Sequence, residues 1–350
     1  MSWLLFVFSL IAAFTYPLYD TCLIKEIIFF PVGLSFLTWA FFEKKDWLTD
    51  PGTLFGLWII LNIYLLNGNF IKWLGCLGVY FYIREAKNVR WVLLLGGAII
   101  AIYNIYLLKS NFLTANHWSG SLGNGNIAGG FWLLYFFFFL SSGWAGAAGS
   151  AISLYFLFIS SCRGSRLGLL VGFLALITAY RPRIGSVLLI LSGAGFTLWY
   201  ALLGGAPLVD RYLFYQSALD MIRYHWITGF GTGSFSAIFP IFADPGLYFQ
   251  YGNNFYLLHV HNFILELWAE QGIIGLGLFI WLVMWCISKA KTYRDYMLSA
   301  GVIAALAYSW TSVGLDHVPV LPLFFVLLAL IGKEEERSEL TKVTDYFYNR

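Results

Sequence analysis

Two imidazoles and an amide, His259, His261 and Asn262, stand where an irregular polar stretch gives way to a long apolar run. An imidazole with an unperturbed pKa near 6.5 can take a proton from a hydroxyl at neutral pH, so His261 is a candidate general base. By itself it could equally be a polar cap on a membrane helix. Gly272 follows eleven residues later. In one continuous helix that is about 16 Å further along and on nearly the same face, where a small residue lets a neighbour pack closely. Glu266 and Glu270 lie between them. Glu270 reads as an interior polar contact, because intramembrane carboxylates usually pair.

Arginine is the second chemical signal. Arg163 and Arg166 sit in Cys162-Arg163-Gly164-Ser165-Arg166, and Arg211 lies in a later polar region. Guanidinium offers fixed bidentate donors to phosphate oxygens and can stabilise charge developing on a phosphate leaving group. Asn124 and Asn126, in Gly120-Ser121-Leu122-Gly123-Asn124-Gly125-Asn126-Ile127-Ala128, read either as site residues or as helix caps. Asp316-His317 reads either as a supporting acid/base pair or as an interfacial turn before Pro319. No HExxH, Walker lysine loop, EF-hand or zinc-spaced cluster is present, so no metal and no cofactor is expected. Gly229, Gly231 and Gly233 force a turn, but no βαβ context makes them a dinucleotide fingerprint.

The elements that must carry these residues follow from composition. The chain has 350 residues, is 60% hydrophobic and 11% charged, and has a mean hydropathy of +0.74. A soluble domain carries about 25% charged residues. The expectation is therefore an all-α integral membrane protein with about twelve transmembrane helices. The spans run roughly 2–19, 22–42, 53–66, 69–83, 89–109, 124–141, 144–161, 164–180, 184–203, 258–287, 297–315 and 318–332. The first reads as a retained span rather than a signal peptide. A large, partly helical loop, about 204–257, joins the ninth and tenth helices, with an amphipathic helix over Arg211–Arg223. Residues 333–350 form a solvated tail. The four cysteines are scattered and read as core-filling residues. A net charge of +3 gives no reason to expect nucleic acid.

Lys44, Lys45, Arg84, Lys87, Arg90, Arg181, Arg183, Lys289, Lys291, Arg294 and the tail's Lys333, Arg337, Lys342 and Arg350 fall in alternate connections. The positive-inside rule then places both termini in the cytoplasm. Lys25, Lys72 and Lys109 fall near the opposite face and read as snorkelling side chains. Arg163, Arg166, Arg211 and Arg223 also fall there, as do all five histidines, His117, His225, His259, His261 and His317. An arginine cluster away from cytosolic nucleotides suits a lipid-linked phosphate or pyrophosphate.

With these residues in place, the chain resembles the O-antigen ligase / O-antigen polymerase superfamily of bacterial membrane glycosyltransferases. The family's His-[Asn/Ser/Gln], nine residues and Gly-x-x-Gly pattern is matched by His261-Asn262, Phe263 to Gln271, and Gly272-Ile273-Ile274-Gly275. Its Asn-x-Asn-x-x-Ala-like segment resembles Asn124 to Ala128. Its Ser-Arg-Gly segment resembles Cys162-Arg163-Gly164, with cysteine for serine, and a competing alignment runs through Ser165-Arg166-Leu167-Gly168. Its loop arginine and glycine-rich turn resemble Arg211 and Gly229 to Phe235. The resemblance covers about Gly120 to Gly275. It implies a GT-C-like fold and a metal-independent, inverting transferase that moves a glycan from undecaprenyl pyrophosphate to an acceptor. The acceptor would be lipid A–core for a ligase, or a second lipid-linked glycan for a polymerase. The resemblance makes His261 the base and Arg163 and Arg211 the pyrophosphate ligands, with Arg166 as the alternative. Asn262, Asn124, Asn126, His259 and His317 are supporting candidates. It also implies a bacterial inner-membrane protein with a periplasmic site. A transporter of lipid-linked glycans is the reading from a different class.

Overall fold

The structure, a computed structural model, describes residues 35, 49–62, 68–86, 88–109, 119–185, 187–188, 209–252, 257–312, 314–317 and 319–333. The expected span 2–19, all of 22–42 except residue 35, most of 184–203, and His117, Cys22 and Lys25 lie outside them. Every regular element among the described residues is helical. The helices are α1 (Pro51–Leu61), α2 (Gly68–Glu85), α3 (Val89–Lys109), α4 (Gly125–Ser141), α5 (Ala147–Ile159) and α6 (Arg163–Tyr180). The loop contributes α7 (Val209–Tyr224), α8 (Phe235–Phe242) and α9 (Pro245–Tyr251). Then come α10 (Phe263–Ser288), α11 (Tyr293–Ser309) and α12 (Val320–Leu330). Two stretches, Val89–Leu108 and Phe263–Ser288, are long and apolar enough to cross a membrane. Shorter apolar helices include α1, α4 and α12.

Local chemistry explains the boundaries. Asp50 caps α1 through Gly52 N–H at 2.9 Å, ahead of Pro51 at the first helical position. Asn124 caps α4, and Thr292 with Asp295 forms a capping box on α11. All of α12, and all of α4 except Gly125, Asn126 and Leu140, is buried. These are central helices, apolar all round because both sides meet protein. Small residues bring α6 and α11 together. A Cβ on Gly168 would lie 2.5 Å from the Ala304 carbonyl oxygen, and one on Gly172 would lie 2.9 Å from the Ala304 Cβ. Such contacts suit a lipid environment, where backbone proximity and dispersion hold helices together.

The bundle has two chemically distinct ends. At one, Lys333 donates to the Ile83 and Ala86 carbonyls. There Arg84 lies over the Trp285 ring at 4.9 Å, Lys289 over the same ring at 3.2 Å, and Arg90 reaches Ser141 at 3.3 Å. At the other end α2, α4, α6, α10 and α12 begin and α11 finishes, and the chemical candidates gather. Helix α7 packs on α10 through a small core of its own, which includes Phe214, Ala218, Met221, Ile222, Phe235 and Phe239. Its outward side carries Tyr212, Leu219, Asp220 and Arg223, the alternation expected of an amphipathic helix.

One expectation fails here. Helix α10 is interrupted at Gly272, which adopts φ 66° and ψ −177°. His261 and Gly272 therefore do not share a continuous helical face. The interruption frees backbone groups that lipid could not satisfy. The segment before α8 satisfies them: Phe230 and Gly231 N–H donate to the Ala269 and Glu270 carbonyls at 3.0 and 2.8 Å. Ile273 and Ile274 N–H in turn donate to the Trp226 and Ile227 carbonyls at 2.9 and 3.3 Å. Trp58 Nε1 donates to the Gln271 carbonyl at 3.0 Å, and Asn62 Nδ2 to Thr228 at 2.6 Å, which adds α1 to the joint. A Cβ at 272 would stand 2.1 Å from the Ile227 carbonyl oxygen, so only glycine fits. Glu270 is the expected interior contact. Its carboxylate accepts the Gly233 and Phe235 N–H groups at 2.9 and 3.0 Å, holding the glycine turn.

Candidate functional site

His261 is the last residue before the cap of α10, and it is in the left-handed region at φ 60°. A non-glycine residue held there costs about 1–3 kcal/mol and persists only where its surroundings impose it. Those surroundings are explicit. On one side, Val260 N–H donates to Glu266 Oε2 at 3.0 Å. On the other, Asn262 Oδ1 accepts from Ile264 and Leu265 N–H, both at 3.1 Å. Tyr215 OH lies 3.4 Å from the His261 carbonyl oxygen and 3.2 Å from that of Trp310. The imidazole stacks on Phe214 with centroids 6.0 Å apart. Burial, then the positive charges of Arg211 and His259, push the His261 pKa down to about 4. The ring is thus neutral at physiological pH, with a lone pair to offer.

The arginines separate cleanly. Arg211, on α7 one turn before Tyr215, donates to the Thr311 carbonyl. Arg163 is the first residue of α6, is exposed, and has no hydrogen-bond or ion-pair partner among the described residues. Its neighbour Gly164 approaches the same Thr311, with 2.7 Å from a would-be Cβ to Oγ1. Thr311 thus meets both Gly164, the residue after Arg163, and the guanidinium of Arg211, and it follows Trp310, whose carbonyl meets the tyrosine that touches His261. Arg166 turns away. It donates to the Phe158 carbonyl at 3.0 Å and lies over the Phe158 ring at 5.7 Å.

His259 and His317 join a buried charge network behind His261. His259 Nδ1 is 2.7 Å from Glu266 Oε1 and 3.5 Å from Asp316 Oδ2. Lys72, on α2, donates to Asp316 Oδ2 at 2.8 Å and to its carbonyl at 2.7 Å. Lys72 is therefore not a snorkelling side chain. Only 2% of it is exposed, and an ammonium so buried needs the carboxylate it has. Burial opposes the charge on His259, but Glu266, with help from Asp316, raises its pKa to about 9. Burial would raise the Asp316 pKa, yet Lys72 and His259 hold it below its usual value. His317 packs edge-on against His259 at 5.0 Å, and burial followed by the His259 charge brings it down to about 3.

His259, Glu266 and Asp316 could also meet a cation, since their ligand atoms lie within 4.8 Å of one another. Lys72 already supplies positive charge against Asp316, and His259 Nδ1 is engaged with Glu266. We read the trio as an ion-pair network.

Asn124 and Asn126 are at the same end of the bundle in structural roles. Asn124 Oδ1 accepts from Asn126 N–H at 2.8 Å, and the Asn126 carbonyl accepts from Tyr308 OH at 2.6 Å. The Asn126 side chain is exposed. Asn262 likewise serves as the cap of α10. Sequence reasoning missed Tyr215, Thr311 and the pairing of Lys72 with Asp316. Only the position of Tyr215, four residues after Arg211 on an amphipathic helix, could have flagged any of them.

Among the described residues every regular element is helical, two helices are long and apolar enough to cross a membrane, and one end of the bundle carries the tethered Arg211, the exposed Arg163 and the neutral imidazole of His261. Residues 148–280 match the family model for O-antigen ligase. Over that stretch the chain is similar to the O-antigen ligase / O-antigen polymerase superfamily, whose members are membrane-embedded, glycosyltransferase-like enzymes acting on lipid-linked glycans. No curated protein matches the chain. The matched stretch holds Arg163, Arg211 and His261, while Lys72, Asp316 and His317 lie beyond it.

Proposed function

We propose that the chain is an O-antigen ligase-like transferase moving a glycan from undecaprenyl pyrophosphate to a hydroxyl of lipid A–core at the periplasmic face. One observation carries this reading: Arg163, with no partner among the described residues, and an Arg211 held at Thr311 share one end of the bundle with a neutral, half-buried His261. In the proposed step the acceptor oxygen attacks the anomeric carbon from the face opposite the leaving group. The bond from that carbon to the pyrophosphate oxygen breaks, the acceptor proton passes to the His261 imidazole, and the sugar configuration inverts. Arg163 and Arg211 meet the charge that builds on the departing pyrophosphate. Lys72 supplies the buried cation near His259, so the step is read as metal-independent.

The test is purified protein with a lipid-linked oligosaccharide and lipid A–core in EDTA. Product with an inverted linkage supports the reading. Lipid crossing the bilayer with no new glycosidic bond overturns it in favour of transport. Against transport, the candidate residues lie at one end of the bundle, whereas transporter sites sit near the midplane. A polymerase would instead join two lipid-linked repeat units, and the superfamily includes both activities. A deletion strain separates them: loss of a ligase leaves long polymers on the carrier, and loss of a polymerase leaves single units on the acceptor.

A further inference from the structure

Both oxygens of the Glu266 carboxylate are committed to the two residues that precede His261. Oε1 is 2.7 Å from His259 Nδ1, and Oε2 accepts Val260 N–H at 3.0 Å. Glu266 is one turn into α10 and buried, with its own N–H bonded to the Asn262 carbonyl at 3.0 Å. The carboxylate therefore ties the first turn of the helix back onto the incoming strand of chain. His261 sits between that tie and the Asn262 cap, in a left-handed conformation that an unrestrained chain would leave. Nothing in the match to the superfamily, nor in the proposed step, gives Glu266 a part.

We infer that Glu266 is the positioning residue for His261: it fixes the backbone that aims the imidazole without touching substrate. This rests on the reading of His261 as the base, but its geometry can be tested without that reading. Glu266 grips the chain rather than the donor, so its loss should lower turnover and leave donor affinity alone.

Two measurements on the full-length protein in detergent decide the matter. The first is mass-spectrometric mapping of diethyl pyrocarbonate modification at His261. In wild type the ring is half-buried on Phe214, and modification should be slow. In Glu266→Ala it should accelerate severalfold, and in Glu266→Gln, which retains an acceptor for Val260 N–H, less so. The second is steady-state transfer. Glu266→Ala should lower kcat about 30- to 100-fold, the scale of a misplaced catalytic group, with the donor KM within about threefold of wild type. Added to His261→Ala, it should cost no further turnover.

Unchanged labelling at His261 in Glu266→Ala overturns the inference whatever the activity. So does a raised donor KM at unchanged kcat. If labelling accelerates as expected but wild type forms no glycosidic bond, the positioning role stands and the transferase reading falls. Glu266→Gln, isosteric and able to fold where alanine does not, keeps both measurements decisive.

Discussion

At the scale of single residues, the site divides labour by what each side chain can no longer do. Arg166 is spent on Phe158, and Asn124 and Asn262 on helix caps. Of the arginine pair at the start of α6, Arg163 has no hydrogen-bond or ion-pair partner among the described residues. Arg163→Ala should therefore raise the donor KM or abolish binding, whereas Arg166→Ala should change kcat/KM by less than about threefold, measured by titrating the lipid-linked donor. His261→Ala should lower kcat about 10²- to 10⁴-fold, the range for a lost general base, with the protein still inserted. The pH dependence follows with its sign. His261 has its folded pKa depressed to about 4, so the free enzyme keeps a neutral base down to that pH. The acid limb of kcat/KM should fall near pH 4 rather than near 6.5. His259 has the opposite sign. With a folded pKa of about 9 against 6.5 unfolded, it contributes stability fully below pH 6.5 and loses it as pH rises through 9. The melting temperature should decline between pH 7 and 9.5, and Glu266→Gln should flatten that decline.

At the scale of elements, α10 is two helices joined by a glycine, and the joint is completed by a loop segment forty residues upstream. Gly272→Ala places a methyl against the Ile227 carbonyl in a backbone conformation alanine resists, and should destabilise by about 3 kcal/mol or more. Glu270→Ala leaves two buried N–H groups of the glycine turn unanswered, at about 1–3 kcal/mol each. Thermal denaturation in detergent measures both. These two residues also mark where sequence reading stops. The runs giving α3, α4 and α6 were visible because their apolar length is a local property, and 89–109 coincides with the helix observed. The break at Gly272 was not, because no proline or turn cluster flanks it and its cause is the 226–232 segment. For the same reason His261, Arg163 and Arg211 could be named from residue type and motif. The Lys72–Asp316 pair, separated by 244 positions, could not.

At the scale of the molecule, the described helices run between a basic end, with Arg84, Lys289 and Lys333, and an end carrying the site. If the basic end is cytoplasmic, a cysteine replacing exposed Arg223 should react with an impermeant thiol reagent in intact spheroplasts. One replacing exposed Lys291 should react only after permeabilisation. The described native cysteines, Cys76, Cys162 and Cys286, are buried and contribute little background, and Cys22 is changed to serine in both variants. Labelling of both positions from one side would refute the polarity. The joint at Gly272 carries a further consequence, for biosynthesis. Amides and carbonyls of the 226–232 segment find their partners on α10, which leaves the ribosome later, and on Asn62 of α1, which leaves much earlier. The loop cannot complete its fold on emerging, and must wait until α1 and both halves of α10 stand side by side. The site at its edge would thus be assembled last, only after membrane insertion has brought the early and late helices together.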